Sequence, residues 1–276
     1  GLDRLKADGV GFDHLRHDPA DPASLGSDEI LYVALDRSDT LWVGTLDAGL
    51  DERCAGCTGF RHHRHDPADP ASAAGDTVSS VLEMRNGEFW VAYRTEGLDR
   101  LDRASGRFEH FRSHASDQTS LGTDAVSVLA EDSQGDLWVG TQGGGLGHRI
   151  GNPSGTARFE SIDSRDGLAA DAIGAVVETA PGVLWLSTTV GISRVERSRG
   201  ATRIVNYGAH NGAQPRGYWV NASTRLPDGR VAFGGLDGIS VLEPAAVKPV
   251  PMPHPVITGL LLSPSFRDLY KTQLVD

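Results

Sequence analysis

Two cysteines and a run of histidines are the residues of this chain whose types and spacing most resemble a chemical site. Cys54 and Cys57 form the sequence CAGC, and His62, His63 and His65 follow within a few residues. Residues i and i+3 of a β-turn lie within about 7 Å of each other at Cα, which permits a disulfide. Thiolate and imidazole groups also bind zinc, although the spacing here is tighter than in zinc fingers. We rank exposed unpaired thiols first, a disulfide second and zinc third, so no metal site is predicted.

A glycine cluster in the segment 136–146 raises the question of a phosphate-binding loop. The sequence DLWVGTQGGGL places three glycines after a short apolar strand pattern. A dinucleotide site needs a strand, a Gly-x-Gly-x-x-Gly loop and then a helix, and no helical pattern follows Gly145. The chain also lacks a Ser-His-Asp set with a nucleophile elbow. We therefore predict no catalysis in this chain and no cofactor.

Acidic turns recur in the sequences DRSDT, EDSQGD and LPDGR, at Asp36, Asp132 and Asp228. Their spacing lacks the alternating acidic ligands of a calcium loop. Asp and Gly form turns without any ligand. The sequence therefore predicts structural turns at these positions.

The elements that would position a site are repeated along the chain. One pattern occurs five times in the sequence. It consists of an apolar strand with a central aromatic anchor, then in most repeats a pair of small residues such as Gly-Thr, and then a Gly-Leu or Gly-Ile turn. The anchors are separated by 48, 48, 47 and 48 residues and are Trp42, Trp90, Trp138, Trp185 and Phe233. The sequence GLDRL at 1–5 recurs at 97–101, two periods later. A repeat of this length predicts a supersecondary unit stacked many times.

Each repeat contains four short strand patterns separated by turns. In the third full repeat these are AVSVLAED, LWVGT, GGGLGHRI and ARFESI. Four antiparallel strands per repeat predict an all-β fold, a β-propeller of four-stranded blades with about five and a half blades present. The glycines then serve tight turns, and the anchors are expected to be buried between blades.

Composition narrows the range of functions. The 276 residues carry a formal net charge of −11, which argues against nucleic acid as a partner, because nucleic-acid surfaces are basic. The chain contains no run of 18 apolar residues, so no transmembrane helix is predicted within it.

The third full repeat, SLGTDAVSVLAEDSQGDLWVGTQGGGL, resembles the repeat of the two-component regulator propeller family. The segment HDPADPASL at 17–25 returns in a close variant at 65–73 and resembles the linker between blades of that family. The final repeat resembles a terminal blade. The sequence KPVPMPHPVITGLLL after it resembles the start of a Y-Y-Y β-sandwich domain. We expect propeller repeats over 1–246, and a linker with a truncated Y-Y-Y domain over 247–276.

The resemblance implies a periplasmic, extracytoplasmic sensor of a bacterial inner-membrane signalling protein, taken from a seven-bladed propeller. Its partners would be its own Y-Y-Y, transmembrane and cytoplasmic output modules, the output being a histidine kinase or a GGDEF diguanylate cyclase. The full-length protein is expected to be a homodimer. The alternative is a propeller lyase or another propeller enzyme acting on a small molecule or glycan, but the glycine turns carry no His for its metal. A WD-type scaffold is disfavoured because its Gly-His and Trp-Asp signatures are absent.

Ligand-binding residues are expected on the face formed by the glycine turns and the blade-to-blade linkers, since function concentrates on loops held by a rigid scaffold. Large polar or aromatic residues in or near these loops are the candidates, namely Asp47, Tyr93, Arg94, Glu96, Gln142, Arg216 and Trp219. Arg94 could clamp a carboxylate or phosphate and Tyr93 could stack on a sugar, so the expected partner is an unknown small molecule or oligosaccharide. A surface Arg94–Glu96 pair and a core position for Trp219 are the simpler interpretations, and the sequence favours both.

Overall fold

The computed structural model describes residues 1–151, 157–198, 201–214 and 216–247. The chain divides into two compact units, Gly1–Pro244 and Ala245–Asp276. Every strand given below lies in the first unit. The predicted Y-Y-Y strand lies outside the described residues.

The described residues form 21 strands and one short 3-10 helix, Ala209–Asn211. The strands are β1 Leu2–Leu5, β2 Phe12–Leu15, β3 Ile30–Leu35, β4 Leu41–Thr45, β5 Leu50–Arg53, β6 Arg61–His63, β7 Val78–Glu83, β8 Phe89–Tyr93, β9 Leu98–Asp102, β10 Arg107–Phe111, β11 Val126–Glu131, β12 Leu137–Thr141, β13 Leu146–Ile150, β14 Arg158–Ile162, β15 Ile173–Ala180, β16 Val183–Thr188, β17 Gly191–Ser198, β18 Ala201–Tyr207, β19 Tyr218–Arg225, β20 Val231–Gly235 and β21 Gly238–Leu242. The described part of the chain has no helix with the length and apolarity needed to cross a bilayer.

These strands form six separate sheets, in which sequence neighbours pair antiparallel. Four sheets are complete four-stranded blades: β3–β6, β7–β10, β11–β14 and β15–β18. The sheet β1–β2 has two strands, and β19–β21 has three. The first strands of successive blades, β3, β7, β11, β15 and β19, contact one another in turn, so they surround a common centre. The predicted all-β propeller is confirmed.

The aromatic anchors lie in the cores between blades, as predicted. Their exposed fractions are 1% for Trp42, 0% for Trp90, 3% for Trp138, 1% for Trp185 and 0% for Phe233. Trp42 packs on Phe89 of the following blade, with ring centroids 4.4 Å apart. Trp138 likewise packs in one cluster with Leu184 of the blade after it. Trp42 and Trp138 are therefore buried against the next repeat.

The acidic turns hold these anchors in place. Asp132 accepts hydrogen bonds from the backbone N–H groups of Gln134 (2.9 Å) and Asp136 (3.0 Å) and from Trp138 Nε1 (2.8 Å). Asp36 makes the equivalent three bonds in the first complete blade. These carboxylates are used within the fold, which is the structural role predicted from the sequence.

A second set of contacts joins the same turns to the neighbouring blade. The backbone N–H of Arg37 donates to Glu83 (2.9 Å), and that of Arg85 donates to Glu131 (3.0 Å). The backbone N–H of Ser133 donates the equivalent hydrogen bond to Glu178, at 2.6 Å. Each accepting glutamate lies about one repeat further along the chain, so these hydrogen bonds connect consecutive blades.

Candidate functional site

The first strand of each complete blade contains a β-bulge near its start. The strand register skips Leu31 in β3, Ser79 in β7, Ser127 in β11 and Gly174 in β15. A bulge leaves one residue outside the ladder and bends the strand locally. Because the bulged strands surround the centre of the propeller, the four bulges lie around that centre.

The last blade carries a larger irregularity at the same place. In β19, Tyr218 pairs with Gly235 and the next pair is Ser223 with Phe233, so residues 219–222 face Gly234 alone. Asn221 has a φ of 58°, in the left-handed region that Asn tolerates better than most residues. We call the segment 219–222 the central bulge.

The central bulge reaches across the propeller. Asn221 Nδ2 donates to the backbone oxygens of Ser79 (2.9 Å) and Ser127 (3.3 Å). The hydroxyl groups of those serines are already engaged, since Ser79 donates to the Val126 oxygen and Ser127 to the Ile173 oxygen. Side chains of three different blades therefore form one hydrogen-bonded network at the centre.

A cavity of about 590 Å³ lies at this network, and we call it the central cavity. Three of the seven predicted site residues line it: Arg94, Gln142 and Trp219. They come from the end of the hairpin β8–β9, the end of β12 and the central bulge. Its size falls within the usual range of small-molecule sites, about 300–1,000 Å³.

Arg94 lies exposed at this cavity, and no carboxylate of the described residues pairs with it. Its backbone N–H donates to Thr77, which holds the turn. Glu96 instead accepts a hydrogen bond from Thr95 Oγ1 (2.5 Å), and its other carboxylate oxygen is buried without a partner in the described part of the chain. The predicted Arg94–Glu96 surface pair is therefore wrong, and Arg94 is available to an external anion.

Trp219 is also placed differently from the simpler expectation. It is 59% exposed, and the neighbouring Val220 is 43% exposed, so Trp219 is not a core residue between blades. Gln142 is oriented by the bond from its Nε2 to the Ile173 oxygen (2.9 Å), which leaves its amide oxygen as an acceptor. Sequence alone could not place Trp219, because its position depends on the irregular register of the central bulge.

Tyr93 does not serve as a platform for a ligand. Its exposed fraction is 0%, because it packs in one core cluster with Trp42 of the preceding blade and with Phe89 and Val91 of β8. Its hydroxyl donates to Asp99 at 2.8 Å. Burial, together with the charge of Asp99, raises the pKa of Tyr93 well above its usual value. The proposed stacking of Tyr93 on a sugar is therefore corrected to a structural role.

Two further candidates lie away from the central cavity. Asp47 lines a separate hollow beside Asp28, Arg64 and His17. Arg216 is paired with Asp237 at 3.3 Å. The structure does not bring either residue together with Arg94.

A hollow of about 640 Å³ at the outer part of the blade β7–β10 is slightly larger than the central cavity. Most of its charged groups are already paired, since Arg100 lies 2.9 Å from Glu88 and 2.5 Å from Glu109, although no ion pair of the described residues holds Arg107. A ligand there would have to displace these ion pairs. The central cavity combines a guanidinium that no ion pair of the described residues holds with an exposed tryptophan, Trp219, so it is the better candidate site.

A repeated Asp–His pair, which the sequence analysis missed, holds the linkers that enter two of the blades. Asp99 accepts from the Ala74 N–H (2.8 Å) and from His110 Nδ1 (2.7 Å), and His110 Nε2 lies 2.9 Å from the Pro70 oxygen. The blade before it repeats the arrangement with Asp51 and His62. We call these two arrangements the linker clamps. The signal was present in the sequence as His eleven residues after Asp, recurring every 48 residues.

The geometry of the second linker clamp assigns a charge to His110. A backbone oxygen only accepts, so Nε2 of His110 must donate to Pro70, and Nδ1 donates to the carboxylate of Asp99. A histidine that donates from both nitrogens is an imidazolium. The hydrogen bond to Asp99 accordingly raises the pKa of His110. In the blade β15–β18 the uncharged Ser193 and Asn206 take the same positions and bond to the linker at Ala169 and Gly167.

The cysteine pair forms a structural cross-link. Cys54 and Cys57 are joined by a disulfide in the turn between β5 and β6, with Cα atoms 5.3 Å apart, so the first-ranked expectation of unpaired thiols is wrong. The histidines considered for zinc are engaged elsewhere, His62 with Asp51 and His63 with Glu52 (2.8 Å). Within the described ranges, no group of three or more His, Cys, Asp and Glu residues has an arrangement that could hold a metal ion.

Comparison with known proteins identifies the repeat. Residues 120–143 match the model of the two component regulator propeller family. This stretch spans the end of one linker, β11, β12 and the Gly-Thr turn, which are the residues that carried the resemblance. No curated protein matches the chain.

Solved structures share the fold over most of the chain. The extracellular domain of the hybrid two component system BT3049 from B. thetaiotaomicron is 18% identical, with a TM-score of 0.67, over 85% of this chain and 30% of that one. The corresponding domain of BT4673 from the same organism is 18% identical, with a TM-score of 0.62, over 87% and 31%. YCF48 from Cyanidioschyzon merolae is 16% identical, with a TM-score of 0.58, over 87% and 75%. The chain thus spans about a third of the two bacterial domains, and the likeness establishes the propeller fold.

Proposed function

We propose that this chain is the ligand-binding part of an extracytoplasmic sensor in a bacterial transmembrane signalling protein, without catalytic activity of its own. The observation that carries the proposal is the central cavity, where Arg94 has no carboxylate partner among the described residues, Trp219 is exposed and Gln142 presents an acceptor. Groups left unsatisfied by the fold around a concave site are typical of ligand binding.

The comparisons support the sensor context. The similar bacterial structures are extracellular domains of two component systems, and the matched repeat carries the name of that system. The wider proposal adds a periplasmic location, a homodimeric full-length protein and an output through a histidine kinase or a GGDEF diguanylate cyclase. The partner at the cavity is a small molecule or an oligosaccharide.

A thermal-shift screen of the chain tests ligand binding. A compound that binds only the folded state raises the melting temperature by mass action. We expect a shift with at least one small molecule or oligosaccharide that is reduced in Arg94→Ala and retained in Arg225→Ala. Arg225 is a matched control because it is an exposed arginine that does not line the central cavity. A screen in which every shift is equal in the two variants would contradict the proposed site.

A further inference from the structure

The charge of the central cavity limits what it can bind. Arg94 is the only residue with a formal charge among the described residues that line it, whereas the chain as a whole has a net charge of −11. The local charge of this cavity is therefore positive, opposite in sign to the net charge of the chain, and favours an anion there. A guanidinium presents two parallel N–H donors that match the geometry of a carboxylate.

The rest of the cavity is suited to an apolar ring. Trp219, Val220 and Leu31 are 59%, 43% and 40% exposed and all line the cavity. Indole faces pack against flat apolar surfaces of other rings. The amide of Gln142 is held by Ile173, so its oxygen is in position to accept a hydrogen bond from a hydroxyl or N–H of the ligand.

We propose that the central cavity binds a small ligand carrying one carboxylate beside a ring with an apolar face, the carboxylate on Arg94 and the ring on Trp219. This inference rests on the proposed function and specifies its ligand. Sugar acids and aromatic acids share this chemistry, and the experiment separates the two sources.

The five tryptophans provide a direct readout. Trp42, Trp90, Trp138 and Trp185 are at most 3% exposed, whereas Trp219 is 59% exposed. Quenching of the intrinsic fluorescence by acrylamide therefore reports almost entirely on Trp219. A Trp219→Phe variant gives the signal of the four buried indoles and serves as the blank.

The test compares each acid with an uncharged counterpart of the same shape: galacturonate with galacturonamide, and benzoate with benzamide. We expect at least one acid to protect Trp219 from acrylamide with an affinity about tenfold or more above that of its counterpart. Protection should fall by a similar factor in Arg94→Gln, weaken less in Arg94→Lys and be unchanged in Arg225→Gln. The pair that responds identifies the source as a sugar acid or an aromatic acid.

Two results would overturn the inference. One is equal protection by an acid and its uncharged counterpart, and the other is no protection by either acid. Neither result by itself contradicts the proposed function, because the thermal-shift screen also includes uncharged compounds and can still find a ligand for the central cavity. If no melting-temperature shift in that screen depends on Arg94, the central cavity is not the binding site and the proposed function fails as well.

Discussion

At the scale of single residues, one carboxylate can hold a turn and an anchor together. Asp132 is 5% exposed and accepts two backbone N–H groups and the Trp138 indole. In the preceding blade, Met84 occupies the equivalent position, and Trp90 Nε1 is buried without a partner among the described residues. The repeat therefore tolerates the loss of this carboxylate. The loss leaves the Trp90 indole N–H without a partner among the described residues, whereas in the blade β15–β18 Thr179 accepts the Trp185 indole N–H at 3.1 Å.

Replacing Asp132 by Ala is expected to destabilise the fold by about 2 kcal/mol, because buried donors that lose their acceptor carry a desolvation penalty. Urea denaturation followed by tryptophan fluorescence measures the change. Gln134→Ala is the control, since Gln134 is an exposed residue of the same turn. Equal urea midpoints for Asp132→Ala and Gln134→Ala would show that the hydrogen bonds of Asp132 make no net contribution to the free energy of unfolding.

At the scale of elements, the linker clamps tie the segment entering a blade to the third and fourth strands of that blade. The folded-state pKa of His110 is raised above its ordinary value by Asp99. A group with a raised folded pKa contributes stability that is complete below its unfolded pKa and is lost as pH rises through the folded pKa. The clamp should therefore weaken as the solution becomes more alkaline.

The His110→Asn variant tests this dependence, because Asn206 fills the same position in the blade β15–β18 without a charge. We expect the melting temperature of the parent chain to exceed that of the variant most at about pH 6, and the difference to shrink toward pH 9. His63 and His148 have pKa values lowered mainly by burial, and they are common to both proteins. A difference that is constant with pH would contradict the assignment of an imidazolium.

The sequence predicted the elements well because their signals are local and repeated. The anchors Trp42 and Trp138 recur at the repeat spacing, and burial between blades follows from their size. Tyr93 was misplaced because it ends a strand just before a turn, and its burial depends on the neighbouring blades, which cover both faces of β8. Trp219 could not be placed, since four residues facing one in the ladder leave no periodic signal.

At the scale of the whole molecule, the first complete blade has an apolar face that the described residues leave partly exposed. Val33 is 44% exposed, whereas the equivalent Val81, Leu129 and Val176 are 4–8% exposed behind a preceding blade. The sheet β1–β2 packs near Val43 and Phe60 instead. Leu35 in the same strand, and Ile239 in the last sheet, are 67% and 70% exposed.

Additional repeats packed on these faces are expected to raise the melting temperature, because they would remove apolar surface from water. The measurement compares thermal unfolding of this chain with that of a seven-bladed protein containing the same repeats. Lower binding of a hydrophobic dye by the longer protein should accompany the increase. Equal unfolding midpoints would contradict the idea that the exposed faces are sites of blade packing.

The bond from Asn221 also has a kinetic consequence. The other bonds between blades described above join residues 45 to 47 positions apart, so folding can spread from one repeat to the next. Asn221 instead reaches partners 142 and 94 positions away, and contacts of such long sequence separation close late. In Asn221→Gly, which keeps the left-handed backbone accessible, stopped-flow measurements should find faster unfolding with an almost unchanged refolding rate. The central bulge would then act as a latch that lengthens the lifetime of the folded ring without helping it to assemble.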